Sequence, residues 1–351
     1  MRKGMGGANC PTVPRGIVWT AEGDRLMLPR FALLSIGAAA MFAGSALAET
    51  PVDHYSPEIA PPIDNHTQTE ALPFRSDAAN RMTVAVKLGG AGPYQFMVDT
   101  GSERTTISRQ LAKQLRLKPG PNVRLHSIVG EGPAQTAIIP QLMFSQRAIG
   151  SIEAPLLEAA NMGADGMLGV DSLSSQRILF DFKANTMSVT HASERVESLG
   201  DGTIVVRARS RRGRLVVANA TADNETLTVV LDTGSQVTIG NMALRKALLG
   251  REMLGKAEAV TLQSVTGATM EGSYMVVKEV TIGGIGLKNL AVAFVDAHTF
   301  KQLGLEKKPA LLLGMNAMRA FDRVSIDFAN KRLRVILPKE SRVEGVQLAA
   351  K

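Results

Sequence analysis

The sequence predicts an all-β protein, mainly strands with a few short helices, built as two similar lobes in tandem. Three observations carry that expectation. From about Arg81 the chain runs in short apolar segments split by glycine, a rhythm of strands and turns. The tetrapeptide Asp-Thr-Gly-Ser occurs twice, as Asp99-Thr100-Gly101-Ser102 and Asp232-Thr233-Gly234-Ser235, each time closing an apolar run. Further landmarks follow both copies in one order: residues 125–130 have their mate in 262–267, 167–171 in 312–316, and 180–182 in 326–328. The spacing between mates grows slowly along the chain, as loop insertions in a duplicated unit produce.

The first 48 of the 351 residues are set aside from the fold. An apolar, Ala- and Gly-rich run follows Arg30 and ends Ala46-Leu47-Ala48 before Glu49. A basic start, an apolar centre and a small-x-small site make the layout of a secretory signal, so the protein is expected to be exported, periplasmic or secreted. An uncleaved membrane anchor is the other reading, disfavoured by the glycines and serines that dilute the run. Met27 stands just ahead of Arg30, which leaves open that residues 1–26 are an over-called start. Cys10 and Trp19 are the only cysteine and tryptophan, and both lie in this segment. A mature chain without cysteine has no disulfides and is held by its core alone.

Residues 49–80, with Pro51, Pro57, Pro61, Pro62 and Pro73, read as a Pro-rich arm or linker. Whether it is a plain tether or a latency segment over a cleft stays open. The first lobe is placed at 81–195 and the second at 196–340, divided by a polar junction at 192–202 and followed by a tail at 341–351. A helix is expected after each tetrapeptide, over 108–115 and 241–249, where Leu, Ala, Lys and Arg recur at helical spacing.

The formal net charge is +8, and Arg207, Arg209, Arg211, Arg212 and Arg214 supply a concentrated part of it. Turn-like spacing and apolar flanks make this cluster a solvated hairpin rather than a nucleic-acid surface, so no nucleic-acid partner is expected. His54, His66, His126, His191 and His298 show no metal-ligand spacing. No nucleophile-elbow or phosphate-loop motif is present. Neither a metal nor a cofactor is expected.

Two equivalent aspartates suit one chemistry in particular. A peptide bond resists water, so its hydrolysis needs a base for the water and an acid for the leaving amine. Two carboxyl groups a few ångströms apart supply both, because like charges that close share one proton. The remaining letters of the motif have tasks too. Gly101 and Gly234 bring backbone N–H groups against the carboxylates. The Thr100 and Thr233 hydroxyls are placed to bond across to the opposite loop. The Ser102 and Ser235 hydroxyls are expected to donate to the carboxylates and to pull activity towards acid pH. Residues 125–130 and 262–267 read as hairpins whose tips, Ile128, Val129 and Gly130 with Val265, Thr266 and Gly267, fold over a substrate. An ordinary surface hairpin is the plainer reading of each.

The doubled tetrapeptide, with the apolar-apolar-Gly elements Leu168-Gly169 and Leu313-Gly314 following, resembles the aspartic proteases of the pepsin and retropepsin clan, and most closely the bacterial exported retropepsin-like aspartyl proteases. The likeness covers roughly residues 81–337. It implies two retropepsin-like acid-protease lobes about a pseudo-twofold axis, with Asp99 and Asp232 as the catalytic pair. The Thr100, Gly101, Ser102, Thr233, Gly234 and Ser235 positions become their supporting loops. The first candidate flap lacks the tyrosine of pepsins, and the lobes are shorter than pepsin lobes.

Two functions follow as expectations: an exported aspartic endopeptidase acting on a peptide or protein, or a non-catalytic peptide-binding protein on the same fold. With both motifs in one chain, the expected species is a monomer containing an internal pseudo-dimer, not inserted in a membrane once the signal is cleaved. A protease assembled from two chains is the remaining possibility.

Overall fold

The computed structural model describes residues 70–73, 75–76, 82–144, 147–192, 203–250 and 256–338. The signal segment, most of the Pro-rich arm, most of the polar junction and the tail lie outside the described residues, as do Cys10, Trp19, His54 and His66.

Strands dominate, as the glycine-split apolar runs predict. The helices are short: α1 (Arg109–Gln114), α2 (Ala159–Met162), α3 (Val170–Leu173), α4 (Met242–Leu249), α5 (His298–Gln302) and α6 (Met315–Met318). Helices α1 and α4 are the two expected behind the tetrapeptides. The Ser108 hydroxyl accepts the Leu111 N–H at the start of α1, and the Asn241 side chain accepts the Leu244 N–H at the start of α4. Each side-chain oxygen satisfies one of the amides that a helix start leaves without a partner.

Each lobe is built around one sheet. In the N-terminal lobe seven neighbouring strands run in the order Lys118–His126, Glu131–Ile139, Ile152–Leu157, Thr106–Ser108, Gly166–Leu168, Ala91–Val98, Met82–Leu88. In the C-terminal lobe the order is Glu258–Gln263, Thr269–Ile282, Ile285–Phe294, Thr238–Gly240, Ala310–Leu313, Glu225–Leu231, Arg214–Ala222. Strand for strand these are the same sheet. The duplication seen in the landmarks is therefore a duplication of topology.

A third, six-stranded sheet joins the lobes. Its central seam pairs Gln176–Asp181 antiparallel with Arg323–Asp327, Ile178 opposite Ile326. Two ion pairs cross this seam in mirrored positions: Arg177 Nε to Asp327 Oδ2 at 3.1 Å and Arg323 Nε to Asp181 Oδ2 at 2.6 Å. Glu70–Pro73, within the Pro-rich stretch, forms the outer strand against Thr186–His191, and Thr203–Arg207 takes the mirrored place on the other side.

Period-two alternation buries one face of the strands: Val84, Val86 and Leu88 point inward while Ala85 and Lys87 are exposed. Phe96, Phe144, Phe180 and Phe294 are fully enclosed. Burying a side chain of that size contributes about 1.5–3 kcal/mol. One continuous apolar cluster runs through both lobes, from Val84 and Phe96 to Val292 and Val335. That shared core sets the relative position of the two tetrapeptide loops.

Candidate active site

Asp99 and Asp232 each follow the last residue of an inner strand, Ala91–Val98 or Glu225–Leu231. Beside each runs a short parallel strand, Gly166–Leu168 or Ala310–Leu313. The Asp99 N–H donates to the Leu168 carbonyl at 3.0 Å and the Asp232 N–H to the Leu313 carbonyl at 3.1 Å. The next residues, Gly169 and Gly314, lie so close to the backbones of Arg104 and Val237 that a Cβ would collide. The apolar-apolar-Gly element thus ends in glycine because two backbones cross there.

The two loops hold each other through their threonines. Thr100 Oγ1 donates to the Leu231 carbonyl (3.0 Å) and accepts the Thr233 N–H (3.1 Å). Reciprocally, Thr233 Oγ1 donates to the Val98 carbonyl (2.7 Å) and accepts the Thr100 N–H (3.0 Å). All four bonds are buried. They fix the separation of the aspartates, since neither loop can shift without leaving backbone groups unsatisfied.

The aspartates converge. Their carboxyl groups line one cleft, each against the other loop's glycine, and each is almost wholly buried. Gly101 N–H donates to Asp99 Oδ1 at 2.7 Å and Gly234 N–H to Asp232 Oδ1 at 3.1 Å. Each glycine also faces the other lobe's carboxyl, leaving no room for a side chain. Burial pushes both acids above the ordinary aspartate range. Asp232 rises to about 7, where the negative charge of Asp99 adds to the effect of burial. Asp99 also rises, opposed by the Gly101 N–H and then by Arg214. The pair accordingly keeps a proton near neutrality, and that proton belongs to both.

The serines act otherwise than expected. Ser102 Oγ donates to the Arg104 carbonyl at 2.8 Å and Ser235 Oγ to the Val237 carbonyl at 2.7 Å. Each closes its own turn on a carbonyl two residues further along. The expected pull towards acid pH from these hydroxyls therefore has no basis. The Ser102 N–H closes the same turn on the Asp99 backbone carbonyl at 3.4 Å.

Arg214 is the functional neighbour that sequence reasoning missed. Arg207, Arg209, Arg211 and Arg212 are exposed as a solvated hairpin should be, but Arg214 is buried. It begins a strand covered on both faces and donates through Nε to the Gly101 carbonyl, with Nη1 3.3 Å from Glu103. Its charge lowers both aspartates from the values burial would set. The repeat held a signal for it: Arg214 stands at the same distance ahead of Asp232 as Arg81 stands ahead of Asp99. Arg81 itself lies outside the described residues.

Around the pair opens a cleft of about 610 Å³. The candidate flaps are hairpins, Lys118–His126 with Glu131–Ile139 and Glu258–Gln263 with Thr269–Ile282. Ile128 and Val265 line the cleft, whereas Val129, Gly130, Thr266 and Gly267 do not. The walls come instead from the arms just before the tips, including Leu125, His126, Leu262 and Gln263. Both tips reach the opposite lobe. The Ile128 carbonyl accepts the His298 N–H of α5 at 2.8 Å, and Gly267 packs on Asn161 of α2.

That crossing brings together two of the histidines that show no metal-ligand spacing along the chain. His126 Nδ1 lies 3.1 Å from His298 Nε2 and 3.0 Å from Glu131 Oε2. Spacing along the chain could not register a cluster made by two lobes.

The aspartyl protease family model matches the chain at residues 84–172 and again at 218–317. Each match spans one tetrapeptide loop and its crossing glycine. No curated protein matches the chain. Two matches that together take in more than half of the sequence, each on one of two equivalent β lobes, show that the chain belongs to the aspartyl protease family.

Proposed function

We propose that the protein is an exported aspartic endopeptidase, with Asp99 and Asp232 of a single chain as its catalytic pair. The observation that carries this reading is the meeting of two buried carboxyl groups, one from each lobe, in one cleft, where burial raises both above the ordinary aspartate range. The expectation of export rests on the signal layout of the first 48 residues.

In this mechanism a water lies between the carboxyls. The ionised partner takes a proton from it while the neutral partner donates to the scissile carbonyl oxygen, and the new C–O bond gives a tetrahedral diol. Collapse of the diol breaks the C–N bond: the first carboxyl gives its proton to the leaving nitrogen, while the second takes one back from a diol hydroxyl, whose oxygen becomes the new carbonyl. Both groups end as they began, one protonated and one not. The Gly101 and Gly234 N–H groups hold the carboxyls in place throughout. A substrate fits as an extended strand. Lys118–His126 and Glu258–Gln263 end the two lobe sheets on the cleft side, and their free edges offer backbone partners.

The test is cleavage of a peptide library read by mass spectrometry. Asp99→Asn or Asp232→Asn alone is expected to lower cleavage by about 10³-fold or more, since a single carboxyl supplies either the base or the acid but not both. Undiminished cleavage by either variant defeats the proposal. An unmutated chain that binds peptides without cutting them assigns the fold to peptide binding.

A further inference from the structure

Among the described residues, and outside the aspartate pair, one group of side chains has the chemistry of a metal site: His126 and Glu131 from the first flap and His298 from the opposite lobe. Their facing atoms are separated by 3.1 Å (His126 Nδ1 to His298 Nε2), 3.0 Å (His126 Nδ1 to Glu131 Oε2) and 4.0 Å (His298 Nε2 to Glu131 Oε2). A tetrahedral zinc ion with ligands at about 2.0–2.1 Å holds them about 3.3–3.4 Å apart along its edges. The three separations bracket that value, so small rotations of the rings and the carboxylate suffice. We infer that His126, Glu131 and His298 form a binding site for a zinc-class divalent cation, which on binding latches the first flap to the opposite lobe.

The ligand set suits the ion. Two imidazoles and a carboxylate are borderline donors that favour zinc over magnesium or calcium. Arg124 engages one oxygen of the Glu131 carboxylate, Oε1, leaving Oε2 for the metal. The His126 and Glu131 side chains are about one-third exposed, which gives an ion access and leaves a fourth position for water. The fold does not require these residues. At the second flap the mate of His126 is Gln263, and α2 begins with Ala159 where α5 begins with His298.

Occupied, the site would tie both arms of the first flap to α5 beside the tip contact between Ile128 and His298. Peptide access to the cleft would then depend on metal. That consequence rests on the proposed hydrolytic function, whereas the site itself does not.

The experiment titrates the full chain with zinc chloride by calorimetry, with magnesium chloride as control. It also follows amide exchange of residues 127–130. One zinc per chain is expected, with slowed exchange at the flap tip and no magnesium binding. His298→Ala, His298→Gln and Glu131→Gln should each weaken zinc binding by at least about tenfold and abolish the slowing. Asp99→Asn should keep both. The inference falls if the folded chain binds no zinc, or if binding survives the His298 and Glu131 changes. It also falls if binding is lost in Asp99→Asn but kept in His298→Ala, which would put the ion at the aspartate pair. Zinc binding with a slowed flap, in a chain that cuts no peptide even without metal, retains the site and removes the hydrolytic reading. Peptide cleavage without zinc binding does the reverse.

Discussion

At the centre of the molecule the two halves are interchangeable: Thr100 makes the same two bonds to the second loop that Thr233 makes to the first. At the flaps they differ. The first tip meets His298, whose ring stacks on His126 with centroids 5.4 Å apart, while the second rests its glycine on the side chain of Asn161. The contrast follows from the pseudo-symmetry. On the axis each loop completes the hydrogen bonds of its own copy, so a change in one strands a buried group in the other. Away from the axis each flap touches a surface that is not its mate, and the two contacts are free to diverge. One has become ionisable and the other neutral.

The largest effect that would sharpen this comparison concerns the shared proton. A carboxyl raised above its unfolded value contributes stability that is complete below about pH 4 and is lost as pH rises towards the folded value, about 7 for Asp232. At roughly 1.4 kcal/mol per unit, the loss is on the order of 2–4 kcal/mol. Asp232→Asn removes the loss, so its urea midpoint should exceed that of the parent at neutral pH and converge on it near pH 4. If the halves are interchangeable, Asp99→Asn should behave alike. A variant that shows no gain at neutral pH would contradict the protonated pair.

Next come the threonines. Thr100→Val and Thr233→Val each leave a buried carbonyl and a buried N–H without partners, at a cost of about 2–4 kcal/mol. Thermal unfolding should show the two losses equal within about 1 kcal/mol; a lopsided result would break the symmetry claimed for the axis.

The smallest effect should be lopsided. Gly267 has φ of +86°, where an L side chain is strained, and a Cβ there would press on the Asn161 side chain, whereas its mate Gly130 faces open space without a positive φ. Gly267→Ala should cost about 1–2 kcal/mol and Gly130→Ala close to nothing. Equal costs in chemical denaturation would mean that the flaps differ less than their contacts imply.

Much of this was legible in the letters. Alternating apolar residues dictate strands, the ordered landmarks dictate two copies of one topology, and Ser108 and Asn241 mark where α1 and α4 begin. The threonine bonds across the axis were also legible, because a hydroxyl in a turn fixed beside its twin has few partners to choose. The serines were misjudged for a local reason: each hydroxyl is taken by a carbonyl within its own turn. Arg214 was misjudged because a run of arginines looks uniform in sequence, whereas the strand it begins has cover on both faces.

What the chain by itself determined is therefore whatever depends on near neighbours or on repetition: the strands, the caps, the duplication and the two aspartates as candidates. Tertiary structure alone decided whatever needs two distant segments at one point: the burial that lets the acids share a proton, the guanidinium beside them, and the meeting of His126 with His298. Short-range preferences are written residue by residue. Desolvation and charge coupling arise only once the lobes close around them.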